Sequence, residues 1–98
     1  MVGCAEMPKD LIVKDEDVSN VAKALASETR WEILKLLKVE ALDVSRIAEK
    51  LGQTEANISA QIKIMENANL IETHYEPGVH GVRKMCKPAI DRIILTID

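Results

Sequence analysis

The chain has 98 residues, of which 47% are hydrophobic and 30% are charged, and its formal net charge is −3. This composition excludes a disordered or collagen-like chain, and the length allows one domain with one hydrophobic core. No apolar run approaches the roughly 20 residues that a membrane span needs, and residues 1–7 lack the pattern of a signal peptide. We therefore expect a cytoplasmic protein without a membrane partner.

The first part of the chain divides into an arm and a helix. Residues 1–14 contain Pro8 and show no clear periodicity, which predicts a flexible N-terminal arm before a single domain at residues 15–98. Helical steps of three and four residues then relate the apolar residues Val18, Val21, Ala22 and Leu25. Glu16 and Asp17 suit the positive end of a helix dipole, so we predict a helix over residues 16–26.

Capping residues mark the starts of two further helices. Ser27 is a good N-cap for a second helix, which is rich in apolar residues and ends near residues 38–40. Asp43 is a candidate N-cap for a short third helix. Gly52 follows this third helix at the position where a C-cap favours glycine.

Thr54 is a candidate N-cap for a fourth helix. The inward positions of this helix are Ile58, Ile62 and Met65, spaced four and three residues apart, and we expect it to end around residues 68–69. Because a short turn containing Gly joins it to the third helix, residues 44–68 predict a helix-turn-helix unit.

The period becomes that of strands after the fourth helix. Residues 70–76 and 82–87 suit two strands, and residues 77–81 suit the turn between them, which predicts a β-hairpin. In the tail, Ile93, Leu95 and Ile97 alternate with their neighbours, which favours a third strand over a helix. The predicted fold class is therefore mainly α with a small β-sheet (α+β): four helices, a hairpin and a C-terminal strand.

Three segments resemble one known family. Residues 25–37 (LASETRWEILKLL) resemble the opening of ArsR-type winged helix-turn-helix transcriptional regulators, residues 44–51 (VSRIAEKL) resemble their third helix, and residues 52–71 (GQTEANISAQIKIMENANLI) resemble their recognition helix and its exit. The combination is specific, and it spans approximately residues 18–87. The resemblance implies a winged helix-turn-helix fold with the hairpin as its wing, and a transcriptional regulator that binds double-stranded DNA sequence-specifically.

Three departures from the family pattern bear on function. Asn69 replaces the usual Gly at a left-handed position, a conformation that Asn tolerates. Asp43 and Ser45 stand where the metal-sensing members carry paired cysteines, and the C-terminal segment is not the family's usual metal-binding helix. Metal sensing therefore does not transfer, and we predict no metal site and no cofactor.

The outward face of the fourth helix is the predicted DNA-reading surface. Helix-turn-helix proteins place the N-terminal part of this helix in the major groove. Alanines there allow close approach to thymine methyls, and Ser, Asn and Lys side chains can bond base edges or phosphates, with Gln61 joining from the flank. With two residues of the wing, the predicted DNA-binding residues are Thr54, Ala56, Asn57, Ser59, Ala60, Lys63, His80 and Arg83.

Each of these assignments has a simpler alternative. Small polar residues on a helix face can be merely solvated, and Arg83 can be a solubilising strand residue rather than a minor-groove contact. The net negative charge counts against nucleic-acid binding, but five acids lie within residues 1–22 while residues 80–92 are basic. The competing function is a winged-helix protein-interaction module that reads no DNA sequence.

Other constellations in the sequence favour neither catalysis nor redox control. No Ser-His-Asp or Cys-His arrangement and no phosphate-binding Gly loop has motif support, so we predict neither an enzyme nor a small-molecule substrate. Cys4 and Cys86 have no close-spaced partner of the C-x-x-C kind. A partly buried thiol is the preferred interpretation for Cys86, and a metal or redox switch that uses both cysteines is the alternative.

Residues 15–26 and 89–97 predict a homodimer. The apolar stripe of the first helix is wider than one small core needs, and both faces of the tail are apolar, although a strand directs only alternate residues to one face. The resemblance implies the same, since members of the family pair through their first and last elements. Two recognition helices held about 34 Å apart would then read two half-sites of a palindromic DNA site.

Overall fold

Four helices and five strands form the part of the chain, residues 8–97, that the computed structural model describes. The helices are α1 (Glu16–Leu25), α2 (Glu28–Val39), α3 (Val44–Leu51) and α4 (Glu55–Asn67). The strands are β1 (Asp10–Val13), β2 (Leu42–Asp43), β3 (Ile71–Gly78), β4 (Gly81–Pro88) and β5 (Arg92–Leu95). The predicted class, mainly α with a small β-sheet, is confirmed.

Three of the helices begin at the side-chain caps that the sequence predicts. Ser27, Asp43 and Thr54 each accept a hydrogen bond from the backbone N–H three residues later, at 3.3, 2.8 and 3.1 Å. Each bond satisfies one of the backbone donors that a helix leaves unpaired in its first turn. Local capping chemistry therefore fixes where α2, α3 and α4 start.

A residue in the left-handed backbone conformation follows α3, and another lies two residues after the end of α4. Gly52 has a φ of 65° and donates its N–H to the carbonyls of the preceding turn. Asn69 has a φ of 63°, and its N–H lies 3.0 Å from the carbonyl of Glu66. The left-handed conformation expected for Asn69 is confirmed, because Asn is one of the few residues besides Gly that adopts it readily.

The hydrophobic core forms where all four helices, β1 and the three-stranded sheet meet, and Val21 and Ala24 of α1 are buried in it. Ile33, Ile47, Ile58, Ile62 and Met65 are completely buried within it. The predicted inward positions of α4 are therefore confirmed. Each such side chain stabilises the fold by about 1.5–3 kcal/mol through its removal from water, so α4 is anchored by its inner face and leaves the other face available.

The wing is an antiparallel hairpin of β3 and β4 with Gly78 opposite Gly81. The turn consists of residues 79–80 and is shorter than the predicted residues 77–81, because Pro77 pairs with Val82 inside the hairpin. Gly81, the first residue after the turn, has a φ of 114°, a conformation that side chains resist. On the other side of β4, the short β2 completes a three-stranded sheet in the order β2-β4-β3.

A second sheet pairs β1 with β5 in parallel, so that Leu11 lies beside Ile93 and Val13 beside Leu95. The predicted C-terminal strand is confirmed. The expectation of a flexible arm over residues 1–14 does not hold at Asp10–Val13, because β5 supplies the backbone partners that so short a strand cannot find alone. Residues 1–7 of that arm lie outside the described residues.

The lengths and the apolar content of the four helices determine whether any of them could span a membrane. Across residues 8–97, none of them combines the length and the apolar character that crossing a bilayer demands.

Candidate nucleic-acid interface

α3 and α4 form the helix-turn-helix unit, with residues 52–54 as the turn between them. Ile58 and Ile62 on the inner face of α4 are fully buried, whereas the opposite side, which we call the outer face of α4, is exposed to solvent. The exposed residues there include every position of the helix and its cap that the sequence singled out: Thr54, Ala56, Asn57, Ser59, Ala60 and Lys63. The fold therefore brings these side chains together at one surface.

A chain of amide side chains crosses the N-terminal half of α4. Gln61 Nε2 donates to Asn57 Oδ1 at 3.2 Å, and Asn57 Nδ2 donates to Gln53 Oε1. Gln53 Nε2 in turn donates to Thr29 Oγ1 on α2 at 3.2 Å. We call Gln53, Asn57 and Gln61 the amide chain. Gln53 was not among the predicted residues, because it lies in the turn before the cap of α4.

Arg30 on α2 supplies the first donor of this chain. Its Nη1 lies 2.7 Å from Gln61 Oε1, while its Nε and Nη2 donate to the backbone carbonyls of Ala24 and Lys23 at 2.6 and 2.9 Å. Those carbonyls belong to the last turn of α1, where a helix lacks internal partners for its carbonyl groups. Arg30 was not predicted as a site residue, because its partners lie on two other helices.

The wing places its two predicted residues differently. His80 lies in the exposed turn, whereas Arg83 lies on β4 with its guanidinium 3.5 Å from Asp43 Oδ2 and 3.5 Å from Glu76 Oε1. The stem of Arg83 lies over Gly78, where an added Cβ would come within 2.6 Å of its Cγ. Arg83 is therefore held by two acids instead of projecting freely from the wing.

An open cleft of about 770 Å³ separates the wing tip from the start of α3. Its lining includes Arg46, His80 and Arg83, the hydroxyl of Ser45 and one acid, Asp43, which pairs with Arg83. Arg46 was not among the predicted residues, since only the fold brings the start of α3 beside the wing. Two arginines therefore lie at this cleft, and one of them, Arg83, is paired with acids.

Glu66 lies at the edge of the outer face of α4, and its carboxylate is hydrogen-bonded by two residues of the wing. It accepts hydrogen bonds from Thr73 Oγ1 at 2.6 Å and from Lys84 Nζ at 3.1 Å. The bond from Thr73, followed by the bond from Lys84, lowers the pKa of this carboxyl. Glu66 thus connects α4 to both strands of the wing and fixes their relative position.

The chain matches one family in sequence and in structure. A family model described as "bacterial regulatory protein, arsR family" matches residues 27–73. The crystal structure of a possible transcriptional regulatory protein (fragment 1–100) from Mycobacterium bovis is 31% identical, covers 76% of this chain and 75% of its own, and superposes with a TM-score of 0.67. This chain belongs to the ArsR family.

Two further structures resemble this ArsR-family chain. A solution structure from Mycobacterium bovis, of a homodimeric winged helix-turn-helix DNA-binding domain described as a possible ArsR-family regulator, is 31% identical with a TM-score of 0.68. The match covers 76% of this chain and 65% of that one, just under two thirds of its length. NolR from Sinorhizobium fredii shares the fold at 22% identity, with coverage of 78% and 72% and a TM-score of 0.68. None of the curated proteins matches this sequence significantly.

The thiol of Cys86 is inaccessible in this ArsR-family protein. Cys86 is completely buried on β4, and burial raises the pKa of its thiol to about 11. A neutral, buried thiol is a poor nucleophile and a poor metal ligand. Within residues 8–97, no three His, Cys, Asp or Glu side chains cluster so as to hold a metal ion, while Cys4 lies outside the described residues.

Proposed function

We propose that this chain is a sequence-specific DNA-binding transcriptional regulator whose α4 enters the major groove and whose wing contacts the flanking minor groove or backbone. The observation that carries the proposal is the exposed outer face of α4, which gathers small and polar residues at the N-terminal half of the second helix of a helix-turn-helix unit. Helix-turn-helix proteins insert this part of the helix among base edges.

The residues of the outer face suit distinct contacts with DNA. Ala56 and Ala60 let the helix approach closely and can touch thymine methyls, while Asn57 and Ser59 offer hydrogen bonds to base edges. Lys63, exposed on the same face, can pair with a phosphate or a guanine. The backbone donors that follow Thr54 at the start of α4 favour a second phosphate. His80 and Arg83 are the proposed contacts of the wing.

The proposed regulator is a homodimer that acts in the cytoplasm and has no catalytic role. The Mycobacterium bovis relative is described as a homodimeric DNA-binding domain, which supports a pair of recognition helices. In this chain, Leu95 and Ile97 in the tail are 51% and 101% exposed, and such apolar surface favours burial against a second copy. We therefore propose an interface through residues 15–26 and 89–97.

A protein-interaction module without DNA-sequence preference is the second candidate. One observation favours it: the polar groups of Asn57, Gln61 and Arg83 are already engaged within the protein. Retention on heparin or on nonspecific DNA separates the candidates, because contacts with phosphates make binding fall steeply as salt rises.

Selection from random or genomic DNA tests the proposal directly. We expect the protein to enrich fragments that share a short, approximately palindromic motif, and to bind that motif more tightly than scrambled DNA in fluorescence anisotropy. Binding of equal strength to every fragment, or no binding at low salt, would refute sequence-specific recognition and favour the interaction module.

A further inference from the structure

The hydrogen bonds of Arg30 and the amide chain run in one direction. A guanidinium can only donate hydrogen bonds, so Gln61 turns its Oε1 toward Arg30. The NH₂ group of Gln61 then faces Asn57 Oδ1, and the NH₂ group of Asn57 faces Gln53. The single donor on α2 thereby sets which end of each downstream amide is oxygen and which is nitrogen.

The position of the Arg30 guanidinium is fixed by α1, and this fixes the donor-to-acceptor direction of the amide chain. Two of its three bonded nitrogens are held by the backbone carbonyls of Lys23 and Ala24 on α1. Because the guanidinium is planar and its donors are fixed relative to one another, these two bonds aim the remaining nitrogen at Gln61. The far end of the amide chain is tethered by the Thr29 hydroxyl, which accepts from Gln53; because a hydroxyl can donate or accept, Arg30 alone sets the direction.

Asn57 is the member of the amide chain that is both oriented and exposed. It uses one N–H and one oxygen lone pair inside the protein, and it retains one N–H and one lone pair for a ligand. An amide that presents a donor and an acceptor side by side pairs with the N7 and N6 positions of adenine in the major groove. A reversed amide would exchange these two groups and lose the match.

We propose that Arg30 is a positioning residue for base recognition: through Gln61 it orients Asn57 to read adenine. The inference rests on the proposed DNA-binding function. It adds that Asn57 reads an adenine and that Arg30 controls the orientation of the Asn57 amide. Arg30 itself reaches no base, because its side chain is turned toward α1 and Gln61.

The first experiment uses the free protein. In Arg30→Lys the positive charge stays, but an ammonium cannot hold two carbonyls and Gln61 in the fixed geometry of a guanidinium. We expect the side-chain NH₂ resonances of Asn57 and Gln61 to be dispersed and slowly exchanging in the wild type and to move to free-amide values in the variant. Unchanged resonances in Arg30→Lys would contradict the control that Arg30 exerts on the amide chain.

The second experiment measures base discrimination on the DNA that the wild type selects. Each A·T pair of the selected site is replaced in turn by G·C, and affinities are measured for the wild type, Arg30→Lys and Lys35→Met. We expect Arg30→Lys to lose roughly tenfold in discrimination at one adenine per half-site. The salt dependence should stay the same, because no phosphate contact is removed.

Lys35→Met is the matched control, since Lys35 lies exposed on the same helix and pairs only with Glu32 among its described contacts. Its discrimination should equal that of the wild type. If Arg30→Lys does not fold, Gln61→Met breaks the same link while leaving the bonds from Arg30 to α1, and it should free the Asn57 amide.

The outcomes separate the two proposals. A wild type without sequence preference contradicts the proposed function and the adenine reading together. If the wild type selects a motif and Arg30→Lys discriminates each base pair as strongly as the wild type does, only the role of Arg30 is contradicted.

Discussion

At the residue scale, Lys63 tests whether the outer face of α4 contacts DNA. Lys63→Glu should weaken binding to all sequences, because a phosphate contact carries no base information. The slope of log affinity against log salt should become shallower by about one unit. Fluorescence anisotropy at several salt concentrations measures both effects.

Lys35→Glu is the control for this change, since it reverses the charge of an exposed lysine on α2 that pairs with Glu32 of the same helix. It should leave the slope nearly unchanged. Equal slopes for Lys63→Glu and the wild type would remove α4 from the proposed interface.

Glu66 gives a pH dependence at the same scale. Its folded pKa lies below the ordinary value of 4.5, chiefly because Thr73 donates a hydrogen bond to the carboxylate. A depressed folded pKa contributes stability above the unfolded pKa, and this contribution is lost as pH falls through the folded pKa. Glu66→Gln should therefore reduce the free energy of unfolding at pH 7 and flatten its decline below about pH 4.5.

Urea denaturation at pH 7 and at pH 3 measures this difference. Glu72→Gln is the matched control, because Glu72 pairs with Lys87 at 3.7 Å on the same wing with half of each side chain exposed. Such an exposed pair contributes little to stability. A loss of pH 7 stability in Glu72→Gln as large as in Glu66→Gln would contradict the special role of Glu66.

At the element scale, the turn between α3 and α4 depends on the backbone of Gly52. A Cβ added at Gly52 meets no atom within 4 Å, yet the residue has a φ of +65°. Any cost of Gly52→Ala is therefore conformational, and we expect a loss of about 1 kcal/mol in the free energy of unfolding. Gly52→Asn should lose less, because Asn tolerates the left-handed region; equal stability of all three proteins in urea denaturation would contradict this reasoning.

The elements also show how far the sequence predicts the fold and the site. The caps at Ser27 and Thr54 and the buried Ile58 follow from rules that act within one helix, so they were predictable. β1 was not, since its partner lies some 80 residues away, with Asp10 beside Arg92. The exposure of the outer face of α4 follows from helix periodicity, but the bonds from Arg30 connect three helices and only the tertiary structure reveals them.

At the scale of the whole molecule, the proposed dimer is the main expectation. Sedimentation equilibrium at micromolar concentration should give twice the chain mass of 10.9 kDa. Leu95→Asp should give monomers that no longer bind DNA specifically, because a charge cannot be buried unpaired in an apolar interface. Ile93 is a poorer choice, since it packs partly against the core of its own chain.

Val79→Asp is the control for the dimer test. Val79 lies in the turn of the wing and is 93% exposed, so its replacement should leave the sedimenting mass unchanged. A wild type that remains monomeric at every concentration, or Leu95→Asp that remains dimeric, would refute the proposed interface.

The parallel pairing of β1 with β5 also determines how the domain resists mechanical force. A pull on Asp10 and Leu95 in opposite directions draws the two strands along each other, because Asp10 lies at the start of β1 and Leu95 at the end of β5. The backbone bonds near Lys9 and Val13 and the Asp10–Arg92 ion pair then bear the load together instead of breaking one after another. In single-molecule stretching between these points, we expect β1 and β5 to separate in one abrupt step, before the helices extend.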